Sequence, residues 1–228
     1  MDKNTLFNAL RGRVIVSVQA PDGHAMRDTH TLVHVAQACV FAGTPAIRCG
    51  GYGGLADIEA IAQAVDVPVF GLTKEGTEGV YITPSVKSVE AVLDAGATVV
   101  CADATHRSRP DGSEFRDLVV AAHAKSGLIM ADCATPEEML SAYEAGADIV
   151  STTLAGYTEH RVKTAGPDFE CLRLGRELVG PDAFVVGEGR FSSREEVMHG
   201  VGGGADAIIV GTAITDPGWI YRQFDPAL

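Results

Sequence analysis

The chain has 228 residues, 46% of them hydrophobic, with no low-complexity tract or Pro/Ser-rich linker; it is read as one domain over 1–228 with enough apolar content for a large core. A formal net charge of -12 argues against nucleic-acid and anionic-membrane surfaces, so a small anionic substrate would need a local positive site. No apolar run approaches the roughly 18–20 residues of a membrane span, and the polar start is unlike a signal sequence, so a cytoplasmic protein is expected.

Eight β-rich runs are predicted, at 14–18, 46–49, 67–72, 98–102, 128–131, 149–152, 184–187 and 207–210. They are continuously apolar rather than alternating, as strands buried on both faces of a parallel sheet are. Helices are predicted between them at 29–41, 56–64, 88–94, 114–124, 136–144, 169–178 and 194–200. Thr135-Pro136-Glu137-Glu138 and Ser192-Ser193-Arg194-Glu195-Glu196 each place a cap residue before first-turn acids, a helix start. Small-residue turns such as Lys125-Ser126-Gly127 and Glu144-Ala145-Gly146-Ala147 suit helix ends that turn back through the left-handed region. This succession predicts an α/β fold of the single-domain (β/α)8 TIM barrel type. The competing open doubly wound sheet lacks its G-x-G-x-x-G at the first helix.

A barrel of this kind builds its site at the carboxyl ends of its strands. That rule selects Gln19, Arg48 with Gly50-Gly51, Lys74, Asp103, Asp132, Thr153, Glu188 with Arg190, and Gly211-Thr212. A lysine and a carboxylate so placed are what proton transfer at carbon needs. Lys74 keeps three readings: a solvated lysine, a Schiff-base nucleophile or a general base. Since a lysine ordinarily titrates near 10.4, either catalytic role needs burial or a neighbouring cation, for which Arg48 is placed; pairing with Glu188 would act the other way. Gly189 and Arg190 after the seventh strand, and Gly211 and Thr212 after the eighth, are candidate phosphate-binding residues, because such loops present backbone N–H groups and the start of a short extra helix. Asp103, Arg107 and Arg109 are equally well read as an ion-pair cluster tying down the fourth loop, and none is assigned to catalysis.

Five cysteines, Cys39, Cys49, Cys101, Cys133 and Cys171, show no C-x-x-C pair and fit reduced thiols. His30 and His34 stand four apart on a predicted helix, but no third ligand accompanies them, so no metal is assigned.

Beyond these inferences, several blocks taken in order resemble the N-acetylmannosamine-6-phosphate 2-epimerases: Val16-Ser17-Val18-Gln19-Ala20, Gly71-Leu72-Thr73-Lys74, Val80-Tyr81-Ile82-Thr83-Pro84, Asp103-Ala104-Thr105, Gly156-Tyr157-Thr158, Gly187-Glu188-Gly189-Arg190 and Val210-Gly211-Thr212. The resemblance implies a cofactor-independent inversion at C2 that interconverts N-acetylmannosamine 6-phosphate and N-acetylglucosamine 6-phosphate, a step of sialic-acid catabolism. By motif position it makes Lys74 and Glu188 catalytic, and Gln19, Arg48 and Asp132 substrate-contacting; Thr153 joins these by its place at a strand end. Thr73, Cys133-Ala134-Thr135 and the glycine-rich 50–54 loop depart from the family pattern. The other readings are a Schiff-base aldolase or lyase of a phosphorylated sugar and a barrel that only senses a sugar phosphate. A small sugar phosphate is the expected partner, and a homodimer is compatible with the sequence. If the loops after strands seven and eight hold phosphate, kcat/KM measured on the phosphorylated sugar should far exceed that on its dephosphorylated form.

Overall fold

The computed structural model describes residues 2–76 and 79–227. Eight parallel strands close into a barrel in sequence order: β1 (Val14–Val18), β2 (Ile47–Gly51), β3 (Val69–Thr73), β4 (Val99–Asp103), β5 (Leu128–Asp132), β6 (Ile149–Ser151), β7 (Phe184–Glu188) and β8 (Ala207–Val210). The helices are α1 (Lys3–Leu10), α2 (Thr29–Phe41), α3 (Gly54–Ala64), α4 (Val86–Asp94), α5 (Phe115–Ala124), α6 (Pro136–Glu144), α7 (Phe169–Val179) and α8 (Arg194–Gly202), with short α9 (Thr212–Thr215) and α10 (Pro217–Arg222) after the last strand. Closure is completed where Val14 to Val16 of β1 pair with Ile208 to Val210 of β8.

Strand alternation sorts the side chains. Phe70, Leu72, Cys101, Met130, Val186 and Ile209 pack together inside the ring, while Val16, Ile47, Val69 and Val100 face one group of surrounding helices and Val150, Val185 and Ile208 another. Both faces are thus apolar, which is why the strands lack polar alternation.

The predicted strands are recovered with shifted ends. Four of them run one residue further than their apolar stretches, because the next residue still pairs with its neighbour: Thr73 with Gly51, Asp103 with Asp132, and Glu188 with Ile209. β2 runs on through Gly50 and Gly51. Gly50 has φ +103°, and a Cβ there would fall 2.0 Å from the Leu72 carbonyl oxygen, so only glycine lets β2 lie this close to β3. In the turn before β5 the left-handed position is taken by Ser126, at φ 57°, not by the adjacent glycine; Gly127 instead packs under Leu93, whose side chain would have to shift to admit a Cβ.

Helix α1 was not expected from the polar start. Asp2 caps it by accepting from the Asn4 and Thr5 amides, and Leu6 and Leu10 are wholly buried in the barrel's interior cluster. Phe7 stacks on Phe184, the first residue of β7, with ring centroids 4.2 Å apart. The helix therefore plugs the amino-terminal end of the barrel and leaves the carboxyl end open. No described helix is long and apolar enough to cross a membrane. Removing the Leu10 side chain as Leu10→Ala should lower unfolding stability by about 2–5 kcal/mol in a urea titration, since the plug has little room to collapse.

Candidate active site

At the carboxyl ends of the strands the inward-facing row turns polar. A cavity of about 650 Å³ opens there, with Gln19, Lys74, Thr153, Glu188, Arg190 and Thr212 on its wall. Lys74 follows β3 and Glu188 ends β7, four strands apart in a ring of eight, so the two stand on opposite sides.

Beneath Glu188 lies a buried ionic network. Arg48, 1% exposed, points inward from the second position of β2. Its Nη2 donates to Asp132 Oδ2 at 2.6 Å and its Nη1 to Asp132 Oδ1 at 3.1 Å; Nη1 also donates to Glu188 Oε2. Thr153 Oγ1 lies 2.7 Å from Asp132 Oδ1 and 2.9 Å from Glu188 Oε2, and Ser151 Oγ lies 2.6 Å from Thr153 Oγ1. The Glu188 main chain is fixed separately: its N–H donates to Thr152 Oγ1 at 3.0 Å, and that hydroxyl donates back to the Glu188 carbonyl at 2.9 Å. Burial opposes the charge on Arg48, but the fields of Asp132 and Glu188 outweigh it and raise its pKa further. The guanidinium stays charged.

One cation against two carboxylates leaves an excess negative charge in a poorly solvated place. Burial pushes the Glu188 carboxyl from 4.5 up to about 7; Arg48 and Lys74 oppose the shift, and Asp132 adds to it. The shift favours the protonated form of Glu188 over that of a solvated glutamate, which suits it to act as an acid. Its side chain, 14% exposed, still reaches the cavity.

Lys74 is held differently. Its N–H donates to the Gly51 carbonyl at 3.1 Å, and it bridges to Ile82 of the returning chain. The Nζ lies over the Tyr52 ring, 4.2 Å from the centroid. Arg48 is engaged by its two carboxylates, and no Lys74–Glu188 ion pair forms among the described residues.

The backbone N–H groups of Gly189, Arg190, Gly211 and Thr212 donate to no group among the described residues, so they are available to an anion at the mouth. The Arg190 side chain is occupied: it donates to the Gly166 carbonyl at 2.8 Å, the Ala155 carbonyl at 2.9 Å and Thr164 Oγ1 at 2.9 Å. It thereby fastens the loop between β6 and α7 beside the cavity.

Gln19, Lys74, Thr153 and Glu188 thus share the cavity with the loops at 189–190 and 211–212, whereas Arg48 and Asp132 sit below its floor and are not on its wall. Asp103 accepts from Arg107 Nη2 at 2.7 Å, and Arg109 donates to its carbonyl, so these three residues form the loop-fastening cluster. Sequence reasoning passed over Tyr52, Ser151 and Thr152; the inward alternation along β6 was the one signal that could have found Ser151. All five cysteines are free, and burial raises the Cys101 and Cys133 thiols well above their ordinary values. His30 and His34 pack edge to face, 4.5 Å between centroids, and no metal-ligating cluster of three occurs among the described residues.

The family described as "Putative N-acetylmannosamine-6-phosphate epimerase" matches residues 32–228. A Corynebacterium glutamicum (strain R) protein named "Putative N-acetylmannosamine-6-phosphate 2-epimerase" is 72% identical over 228 residues, covering 98% of each chain. A Cutibacterium acnes protein of the same name is 39% identical, covering 98% of this chain and 96% of its own. Among solved structures, that of the N-acetylmannosamine-6-phosphate 2-epimerase from Clostridium perfringens superposes with TM-score 0.91 at 35% identity, covering 98% of this chain and 96% of that one.

Because the Glu188 pKa is raised on folding, its contribution to stability is complete below about 4.5 and is lost as pH rises through about 7. Glu188→Gln removes that titration. The melting temperature of the variant, minus that of the parent, should therefore rise between pH 4.5 and about 7; a flat difference would show that Glu188 titrates normally.

Proposed function

The chain belongs to the N-acetylmannosamine-6-phosphate 2-epimerase family, and we propose that Lys74 and Glu188 are the two groups that move the C2 proton. The protein is a carbohydrate isomerase of amino-sugar metabolism, interconverting N-acetylmannosamine 6-phosphate and N-acetylglucosamine 6-phosphate by inversion at C2. In the open-chain sugar this proton lies α to the C1 aldehyde, so its removal gives an enolate that needs stabilisation away from bulk water.

The observation that carries the reading is an amine and a carboxyl of raised pKa on opposite sides of one cavity. Inversion requires a proton to leave one face of C2 and arrive on the other, which opposed groups do without moving the sugar. Lys74 takes the proton from N-acetylmannosamine 6-phosphate, and Glu188, whose raised pKa favours its protonated form, delivers one to the opposite face. In the reverse direction the roles exchange. Arg48 and Asp132 act through Glu188, holding its carboxyl from beneath. Gln19, whose Nε2 donates to Ser17 Oγ at 2.9 Å, meets a polar group of the sugar from the wall. The free amides of Gly189, Arg190, Gly211 and Thr212 receive the phosphate, with the Arg190 guanidinium adding positive charge nearby while it fastens the loop. The reading needs no cofactor.

Proton NMR of N-acetylmannosamine 6-phosphate with the enzyme in deuterated water tests the assignment. Lys74→Ala should abolish both epimer formation and deuterium entry at C2, and full activity in that variant would remove the lysine from the mechanism. Glu188→Gln should block epimer formation while C2 of the starting sugar still exchanges through Lys74. Loss of both processes in Glu188→Gln would assign that carboxyl to binding rather than to reprotonation.

A further inference from the structure

The glycine-rich 50–54 loop, where the chain departs from the family pattern, carries a single side chain, that of Tyr52. Its place is fixed from both directions. Gly51 pairs with Thr73 across β2 and β3, and the Gly51 carbonyl accepts the Lys74 N–H at 3.1 Å, so Tyr52 and Lys74 leave their strands side by side. Beyond Tyr52, Gly53 lies against the wholly buried Asp57, which accepts from Arg27 Nη1 at 2.9 Å and from Thr29 Oγ1 at 2.6 Å. A Cβ at Gly53 would fall 2.0 Å from Asp57 Oδ2 and 2.1 Å from Arg27 Nη2, so the loop sits directly on that ion pair. Seated at both ends, it presents its one side chain on the cavity wall, where the ring centroid lies 4.2 Å from Lys74 Nζ.

Packing does not account for Tyr52. The residue is 45% exposed and contributes to none of the hydrophobic clusters, and its hydroxyl makes no hydrogen bond among the described residues. Lys74 Nζ likewise makes no ion pair or hydrogen bond among the described residues. What holds the end of this long, freely rotating side chain is the face of the Tyr52 ring.

A π face is a particular kind of partner. It attracts an ammonium, and it accepts an N–H from a neutral amine, but it has no hydrogen to give to the amine's lone pair. A carboxylate in the same place would lock the ammonium in an ion pair, and a hydroxyl could occupy the lone pair by donating to it. The ring restrains the nitrogen and leaves that pair available.

We infer that Tyr52 is a positioning residue for Lys74: its ring face fixes Nζ on the cavity wall without consuming the lone pair that takes the C2 proton. The contact persists through the transfer, as N–H to ring before it and as ammonium to ring after it. Without the ring, Nζ would sample several rotamers in a cavity of about 650 Å³ and meet C2 less often. The effect therefore falls on kcat, whereas a tyrosine that served the sugar directly would act on KM.

This inference rests on Lys74 as the group that takes the C2 proton, and its test keeps the two apart. The chain has five lysines, so in protein labelled with 13C at the lysine ε-carbons the Lys74 resonance is identified by its absence from Lys74→Ala. Without substrate, the attached ε protons should stand upfield through the ring current, remain there in Tyr52→Phe, and move to the position of a solvated lysine in Tyr52→Leu. On N-acetylmannosamine 6-phosphate, Tyr52→Leu should lower kcat by about tenfold with KM unchanged within about twofold, and Tyr52→Phe should restore the parent's values. Tyr52→Ala serves the same purpose if the leucine variant does not fold. An ε resonance unmoved in Tyr52→Leu, an unchanged kcat, a loss that falls on KM, or a Tyr52→Phe as impaired as Tyr52→Leu overturns the inference. Full activity in Lys74→Ala overturns the base assignment, and with it the catalytic part of the inference, while the ε resonance, which needs no turnover, still decides whether the ring holds the amine.

Discussion

One buried guanidinium sets the terms for the carboxyl end of this barrel. Arg48 lies in the ring interior, where a charge is costly unless paired, and it is paired with two carboxylates from β5 and β7. Asp132 takes the bidentate contact and is wholly buried, so it supplies the permanent negative charge. Glu188 is left with a single shared nitrogen, a raised pKa and an opening to the cavity. The division of labour between two chemically similar carboxyls therefore follows from how many Arg48 nitrogens each receives and how far each stands from solvent.

That constraint reaches into the fold. For Arg48 to meet Asp132 and Glu188, three strands that are not neighbours must face one axis, which only a closed sheet provides. Closure in turn demands a filled interior: aliphatic and aromatic side chains occupy the middle, and Leu6 and Leu10 of α1 seal the amino-terminal end. With that end plugged, the polar inward row meets water only at the rim. β2 and β3 also approach closely at Gly50, and the main chain of Lys74 bonds to Gly51, so the lysine is tied to the strand that carries Arg48. Lys74 and the guanidinium under Glu188 thus share one wall.

The rim loops separate open backbone amides from scaffolding side chains. At the seventh strand the amides of Gly189 and Arg190 have no partner among the described residues, while the Arg190 guanidinium is spent on the carbonyls of Ala155 and Gly166. In a chain with formal net charge -12, backbone dipoles and a tethered cation are gathered locally at this point, against the sign of the surface as a whole, which is what the proposed phosphate site requires.

The sequence by itself determined the architecture and the identity of the charged strand-end residues. Eight apolar runs in alternation with capped helices leave few alternatives to a barrel, and the residue after each run is readable because strand period and barrel polarity are local rules. Helix α1 escaped notice because its signal is short, Leu6, Phe7 and Leu10 within eight residues, and its burial depends on an opening that exists only once the ring has closed. Which strand-end residues line the cavity and which bind one another beneath it was decided only by tertiary structure. Arg48 and Asp132 are 84 positions apart, and Arg48 and Glu188 140 apart. No spacing rule spans such distances, because their contact is a property of ring geometry. The same holds for the protonation of Glu188, which depends on burial and on the excess of carboxylates over cations in a volume assembled from five strands.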